Sequence, residues 1–352
     1  MTVYHPRHML NFAFVGCGSM AHWHAQQLQK INQVKVVAVV DPVVQHARQF
    51  KEKYFHAAAE FKAFEEMLAK PPGRLDAVLL MTPHAQHYPQ AKAALERGAH
   101  VLIEKPMVTR SEDAYDLWRA VKKSGKLLGI TFQAPYTPEF AYLARQRDAG
   151  KLGRVQVISG WLSQGWMHAT VKTWRQDPAV SGGGQMYDSG AHLLNAIMWL
   201  MNEPVVEVGC FYDRCSSPVD VNGVAVARFK NGALASIAIG GNCPVFRTEI
   251  QIQTETMLII TDQYGGKLEM TGKDGHRITP KAEEIRHPTP SANSAEGTPH
   301  ANFVHAILGQ EPLRAPVRYG VLLSALMDAM YESGGSGKLV KVKAAPEEIG
   351  IH

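Results

Sequence analysis

Along the first part of the chain, short apolar runs alternate with stretches whose apolar residues recur at helical spacing. Asn11–Gly16, Val34–Val40, Ala77–Met81, Val101–Ile103 and Leu127–Phe132 read as strands. Val34–Val40 (VKVVAVV) is the clearest, an apolar run of the kind found in strands covered on both faces of a parallel sheet. Between the strands, Ser19–Ile31, Gln45–Tyr54, Phe61–Ala69, His87–Arg97 and Ser111–Ser124 read as helices, with Gly98 and Gly125 as stops. This β-α alternation predicts an α/β domain with a doubly wound parallel sheet, over residues 1–133.

The pattern then changes. Thr137–Ala149 reads as a helix and Val155–Leu162 as a strand. From Val205 onward, β-rich stretches follow one another with little helix between them: Val205–Tyr212, Val221–Phe229, Ala233–Ile239, Glu249–Gln253 and Met257–Thr261. Asn231-Gly232 marks a two-residue hairpin. A second, α+β domain with an open, mostly antiparallel sheet is therefore expected over 134–352. The Pro-, Ser-, Thr- and Glu-rich stretch Lys281–His300 reads as an exposed loop. Closing helices near Ala301–Leu308 and Val321–Ser333 could pack back on the first domain.

Composition narrows the function classes. The chain has 352 residues, 45% hydrophobic and 20% charged, with a formal net charge of +5. That excess is mild, and no dense Lys/Arg run is interleaved with aromatics, so nucleic-acid binding is not expected. The four cysteines form no C-x-x-C pair, which argues against zinc and for reduced thiols in a cytoplasm. Met1–Leu10 lacks the pattern of a signal peptide, and no apolar stretch is long enough to span a bilayer.

Gly16-Cys17-Gly18-Ser19-Met20-Ala21 has the form G-x-G-x-x-A between a predicted strand and a predicted helix. Gly16 permits a tight turn, Gly18 lets the backbone approach a pyrophosphate, and Ala21 lets the helix pack closely. Ser19 and Met20 open that helix, whose N-terminus favours phosphate. About twenty residues on, Asp41 ends the second strand, where its carboxylate can accept from ribose hydroxyls and would repel a 2′-phosphate. Pro42, Val43 and Val44 supply no Arg to bind one. The pattern describes a Rossmann dinucleotide site with NAD preferred over NADP.

Two clusters carry possible chemistry. Glu104-Lys105-Pro106 follows the strand Val101–Ile103, at the carboxyl end where ligands of such sheets bind. Lys105 there could donate to a substrate hydroxyl, and it reads equally as a surface lysine in a loop. The second cluster runs from Gly182 to Asn195. Its glycines suit a loop closing on a ligand, and Asp188 and His192, four apart, would share one helix face with Asn195 nearby. A histidine with a neighbouring carboxylate is a natural general base.

Taken with Thr82-Pro83-His84-Ala85-Gln86-His87, these motifs resemble in order and spacing the Gfo/Idh/MocA family, the glucose–fructose oxidoreductase and inositol dehydrogenase group, over nearly the whole chain. The resemblance implies several things. Thr82, His84 and His87 would lie along the cofactor, with Glu104 and Lys105. The Lys105-Pro106 bond would be cis, aiming the lysine at the substrate. Lys105, Asp188 and His192 would be the catalytic trio. No metal would be needed, and the free face of the open sheet would make a homodimer or homotetramer. Three positions depart from the family pattern: Asn195 where Asp is frequent, His84 where Asn is frequent, and Gln133-Ala134-Pro135-Tyr136 where an Arg is frequent.

The function so implied is hydride transfer between nicotinamide and a secondary hydroxyl of a sugar, cyclitol or sugar derivative. His192, helped by Asp188, would accept the hydroxyl proton and Lys105 would stabilise alkoxide character, or the two would exchange roles. Trp174 and Arg175 are candidates for substrate contact, and Tyr136, Trp161, Trp166 and His168 are weaker ones of the same kind. An NAD-dependent glycosidase that oxidises, eliminates and re-reduces would use the same residues. A non-catalytic NAD-binding regulator is the alternative from another class.

Overall fold

The computed structural model describes residues 9–285 and 297–344. The first eight residues of the chain, and the central part of the 281–300 loop expectation, lie outside the described residues. The chain divides into two compact units, neither of them contiguous. Among the described residues, the first unit takes those up to Met107, Asp116–Thr131, and those from 297 to Val317. The second takes Val108–Tyr115, residues 132–285, and those from Arg318 on.

The first unit alternates strand and helix as its apolar pattern predicts. In chain order come β1 (Leu10–Val15), α1 (Ser19–Leu28), β2 (Val34–Val40), α2 (Val44–Tyr54), β3 (Ala59–Phe61), α3 (Phe64–Ala69), β4 (Ala77–Leu80), α4 (His84–Glu96), β5 (His100–Ile103), α5 (Ser111–Ser124) and β6 (Leu128–Ile130). The sheet order is β3-β2-β1-β4-β5-β6, and every pairing is parallel. The order reverses between β1 and β4, the switch point beyond whose strand ends ligands bind in such sheets. Phe61, expected to start a helix, instead ends β3, where its carbonyl accepts the Asp41 N–H.

The second unit opens with α6 (Pro138–Asp148), capped by the Thr137 hydroxyl accepting the Phe140 N–H. Then follow β7 (Val155–Ser163), the short helices α7 (Trp166–Ala169) and α8 (Pro178–Ser181), α9 (Gly190–Met201), β8 (Val205–Asp213), β9 (Asn222–Phe229), β10 (Leu234–Gly240), β11 (Arg247–Thr254), β12 (Met257–Thr261), β13 (Leu268–Gly272), β14 (Arg277–Ile278) and α10 (Ala282–Ile285). The chain next contributes α11 (Pro299–Ile307) to the first unit, and α12 (Val317–Ser336) and β15 (Val340–Lys341) to the second.

Among the described residues, nine strands of the second unit run in the order β14-β13-β12-β11-β7-β10-β9-β8-β15. Only β7 and β10 pair in parallel; the other pairings are antiparallel. Period-two alternation gives the sheet two unlike faces. Ala225, Ala227 and Phe229 of β9 and Ala235, Ile237 and Ile239 of β10 are buried, while Val224 and Val226 point out at 57% and 56% exposure. Leu193 and Ile197 of α9 lie over Gly160 of β7 on the buried face. The β9–β10 hairpin closes through Lys230-Asn231-Gly232, three residues rather than the two expected. Gly232 takes φ +88°, which ends such a loop with a left-handed residue.

The core of the first unit explains why α11 belongs to it. Phe12 and Phe14 of β1, Leu79 of β4 and Leu102 of β5 are buried with Ala25 and Leu28 of α1 and with Phe303 and Val304 of α11. The Phe12 and Phe303 rings meet edge to face at 6.2 Å.

Candidate functional site

The nucleotide side of the site is built on the turn after β1. Gly16 has φ +88°, and a Cβ there would meet the Met81 carbonyl oxygen at 2.6 Å, so only glycine fits. Gly18 stands at the N-terminus of α1, and a Cβ there would meet nothing within 4 Å. That open space, beside the free N–H groups of the first helical turn, suits a pyrophosphate. Ser19 and Met20 are exposed at the same turn and Ala21 is buried against the sheet, each as the motif requires.

Asp41 completes this part. Its Oδ2 accepts the Cys17 N–H at 2.8 Å and its Oδ1 the Val43 N–H at 2.9 Å, which fixes the carboxylate at the end of β2. His46 Nδ1 lies 3.7 Å from Oδ1. The residues present therefore fit an adenine dinucleotide with free ribose hydroxyls. Burial, with the Asp41 charge beside it, pushes the Cys17 thiol far above its usual range, so this cysteine stays protonated.

Beyond β4 and β5 the chain makes two loops that one side chain ties together. His87 of α4 has no exposed surface. Its Nδ1 lies 2.8 Å from the Pro106 carbonyl oxygen and its Nε2 2.8 Å from that of Thr82. Burial pulls its pKa down. Direct contact with the cofactor, expected from the resemblance, is not what this geometry offers; the ring joins the Thr82 loop to the Lys105-Pro106 turn. The Thr82 hydroxyl donates to Gln90 Oε1 at 2.7 Å. His84 is buried, its ring centroid 5.8 Å from that of His87. The Lys105-Pro106 peptide is cis, as the resemblance implies.

Glu104 leaves the end of β5 into a polar cluster. Its Oε1 accepts from the Thr131 hydroxyl and lies 3.0 Å from His24 Nε2; its Oε2 accepts the Lys105 N–H at 3.2 Å. Burial pushes this carboxyl up. The His24 bond and charge, the Lys105 charge and the Thr131 hydroxyl outweigh burial and hold it well below the usual carboxylate range.

In the second unit, Asp188 does not share a helix face with His192. It lies two residues before α9, in the turn that leads into it, because the glycine run is pinned first. Asp220 accepts the Gly184 N–H at 2.6 Å and the Met186 N–H at 2.8 Å, and the Asp188 N–H donates to the Gly184 carbonyl at 2.9 Å. Asp188 Oδ2 accepts from the Trp166 indole at 2.8 Å and from Arg175 Nε at 3.0 Å. Arg175 in turn stacks over Trp174, 4.6 Å from the ring centroid. Arg175 thus holds a carboxylate of the protein, and Trp174 keeps its place at an open groove that Met167 and His168 also line.

His192, in the first turn of α9, is packed between the Phe132 ring at 6.3 Å and the Tyr264 ring at 6.1 Å. Asn195, one turn on, is fully buried, and neither atom of its amide meets a protein hydrogen-bond partner. Tyr136 is buried in the 3₁₀ turn Ala134–Tyr136. Trp161 lies on β7 under Arg247, at 5.7 Å. Sequence reasoning missed Asp220, His24 and His300. Asp220 sits in an unpatterned loop, and the two histidines are so far apart in sequence that only the fold pairs them. Among the described residues, no group of three or more His, Cys, Asp or Glu side chains could hold a metal ion.

Comparison with known proteins identifies the family. Residues 10–132 match the Gfo/Idh/MocA oxidoreductase family, NAD-binding Rossmann fold. Residues 140–260 match the Gfo/Idh/MocA C-terminal domain. The chain belongs to the Gfo/Idh/MocA family. D-glucoside 3-dehydrogenase of Escherichia coli is 25% identical over 363 residues, covering 95% of this chain and 97% of that protein. Inositol 2-dehydrogenase 4 of Saccharopolyspora erythraea is 28% identical over 240 residues, covering 66% of this chain and 68% of that protein. Among solved structures, the WlbA dehydrogenase of Bordetella pertussis in complex with NADH and UDP-GlcNAcA superimposes with a TM-score of 0.82. It has 22% identity, over 96% of this chain and 100% of that one, a likeness of fold. As a Gfo/Idh/MocA protein the chain is an NAD-dependent oxidoreductase, and its first unit is the NAD-binding domain.

Proposed function

We propose that this protein transfers a hydride between NAD and a secondary hydroxyl carbon of a sugar, cyclitol or sugar derivative. The observation that carries the reading is the position of Lys105. It follows β5 at the carboxyl end of the sheet whose Gly16–Ala21 turn and Asp41 fit the dinucleotide. Ligands of such sheets bind beyond that end. Similarity to a D-glucoside dehydrogenase and an inositol dehydrogenase supports the substrate class.

Bound NAD supplies the hydride acceptor or donor. The protein's own groups handle the proton and the oxygen. In oxidation, His192 accepts the hydroxyl proton, and Lys105 donates a hydrogen bond to the reacting oxygen, stabilising alkoxide character. Asp188, fixed by Trp166 and Arg175 in the turn that leads into the helix of His192, is assigned the role of the supporting carboxylate. Trp174 offers an aromatic face of the kind that packs against sugar rings, and Asn195 an amide for a hydroxyl.

The test is NADH formation from NAD⁺ across sugars, cyclitols, sugar acids and glycosides. Lys105→Met and His192→Ala should abolish turnover while NADH still binds. Unchanged turnover in either variant would sink the assignment.

The outward face of the second unit's sheet supports self-association as a homodimer or homotetramer. Phe211 of β8, paired with Val224 of β9, is 76% exposed. Such contiguous apolar surface is a usual mark of an interface. All four cysteines are free thiols, which supports a reducing compartment such as the cytoplasm.

A further inference from the structure

We infer that His24 and His300 are positioning residues that form a buried relay, keeping Glu104 ionised and fixed beside Lys105. His24 Nδ1 lies 2.8 Å from His300 Nε2, and on its other side His24 Nε2 lies 3.0 Å from Glu104 Oε1. Both rings have no exposed surface. Trp23 closes the outer end, its ring meeting those of His24 and His300 near edge to face at 4.8 and 5.5 Å.

The proton positions follow from the acceptors. Glu104, as a carboxylate, only accepts, so His24 Nε2 carries a hydrogen. With His24 neutral, its Nδ1 accepts from His300 Nε2–H. With His24 cationic, its Nδ1–H donates to His300 Nε2, and the neutral His300 then carries its hydrogen on Nδ1. Either arrangement keeps a donor on Glu104. His300 itself stays neutral, because burial and the nearby His24 hold its pKa well below the ordinary value, against the opposing pull of Glu104.

Glu104 needs such support because an unpaired buried carboxylate would take up a proton. The groups that face it come from every element packed around it. They are His24 from α1, His300 behind it from α11, Thr131 after β6, Lys105 after β5, and at longer range His87 from α4. Thr131 supplies a neutral donor, and His24 is the ring in direct contact with the carboxylate. Removing His24 leaves burial opposed chiefly by Lys105 and the hydroxyl. The carboxyl is then neutral over part of the neutral pH range, and Lys105 loses a neighbouring negative charge. The link to catalysis rests on the role proposed for Lys105; the ionisation itself does not.

Infrared titration of the full chain without substrate tests this, reading the carbonyl band of a neutral carboxylic acid that Glu104→Gln deletes. Wild type should show no such band between about pH 5 and 8. His24→Leu should show it, with its midpoint inside that window. His24→Gln keeps a neutral donor and should shift it less, and His300→Leu should fall between wild type and His24→Leu. Quenching of protein fluorescence by NADH checks that each variant is folded. A folded His24→Leu with no band in that range would overturn the inference. If His24→Leu does not fold, His300→Leu decides, a band supporting the relay and its absence overturning it. No sugar enters this measurement, so its failure is distinguishable from failure of the substrate assignment.

Discussion

The His87 imidazole lies 2.8 Å from the Pro106 carbonyl oxygen, which ties helix α4 to the turn that presents Lys105. The other ring nitrogen faces the Thr82 carbonyl at the same distance. His87→Ala would take the one N–H of the neutral ring from the carbonyl it serves and leave a cavity in a fully buried place. A loss of about 2–4 kcal/mol in denaturant unfolding is expected. Turnover should fall further than that loss alone explains, because the loop carrying Lys105 is no longer braced.

Gly16 and Gly18 should fail in different ways when replaced by alanine. Gly16→Ala meets the Met81 carbonyl in a left-handed backbone, so it should destabilise the first unit by about 1–3 kcal/mol and lower NADH binding with it. Gly18→Ala meets nothing in the protein. Its melting temperature should stay near wild type while NADH affinity falls, since the added methyl occupies the space assigned to phosphate. Titration of NADH against both variants, beside thermal melts, separates the two.

Acid should destabilise the fold before the bulk of its carboxylates titrate. Burial lowers the pKa of His87 and His300, and burial with help from Lys126 lowers that of His100 to about 4. In the unfolded chain these histidines take up protons near pH ~6.5, while in the fold they do not. Stability is therefore full above that value and falls as pH drops toward the folded pKa values. For the fully buried His300 the slope reaches ~1.4 kcal/mol per pH unit. Glu104, depressed in the fold, adds a further loss only below about pH 4.3. His300→Leu should flatten the upper part of the curve, measured by urea unfolding from about pH 7 to 5.

The exposed face of the second unit's sheet should respond to charge. Val226 pairs with Ser236 on β10 and Gly209 on β8 and is 56% exposed. Val226→Lys should leave each chain folded and shift the mass measured by light scattering toward the monomer. An unchanged mass would mean that this face does not join copies.

Much of this was legible in the sequence because it rests on local pattern. Apolar runs marked β1, β2, β4 and β5, and the Gly16–Ala21 turn with Asp41 marked the nucleotide side. The Asp188–His192 spacing predicted a shared helix face that the structure does not have, since α9 begins after Asp188. Whether helix begins before or after Asp188 depends on Asp220, whose carboxylate pins Gly184 and Met186 from a loop with no periodicity. Trp166 and Arg175 were visible only as residue types; that both would donate to Asp188 needed the fold. His24 and His300 gave no signal at all, since a histidine in an amphipathic helix looks the same whether it faces a carboxylate or a leucine.

The return of α11 to the first unit bears on how the gene can be cut. Phe303 covers Phe12 and lies against Gly129, and the Ala315 carbonyl accepts the Ile130 N–H at 3.0 Å. A fragment ending at Thr131 would carry the whole glycine turn and Asp41 yet expose part of its own core. Its nucleotide-binding half is thus completed by sequence translated long after it, and a truncation that reaches α11 would be felt at the N-terminal sheet.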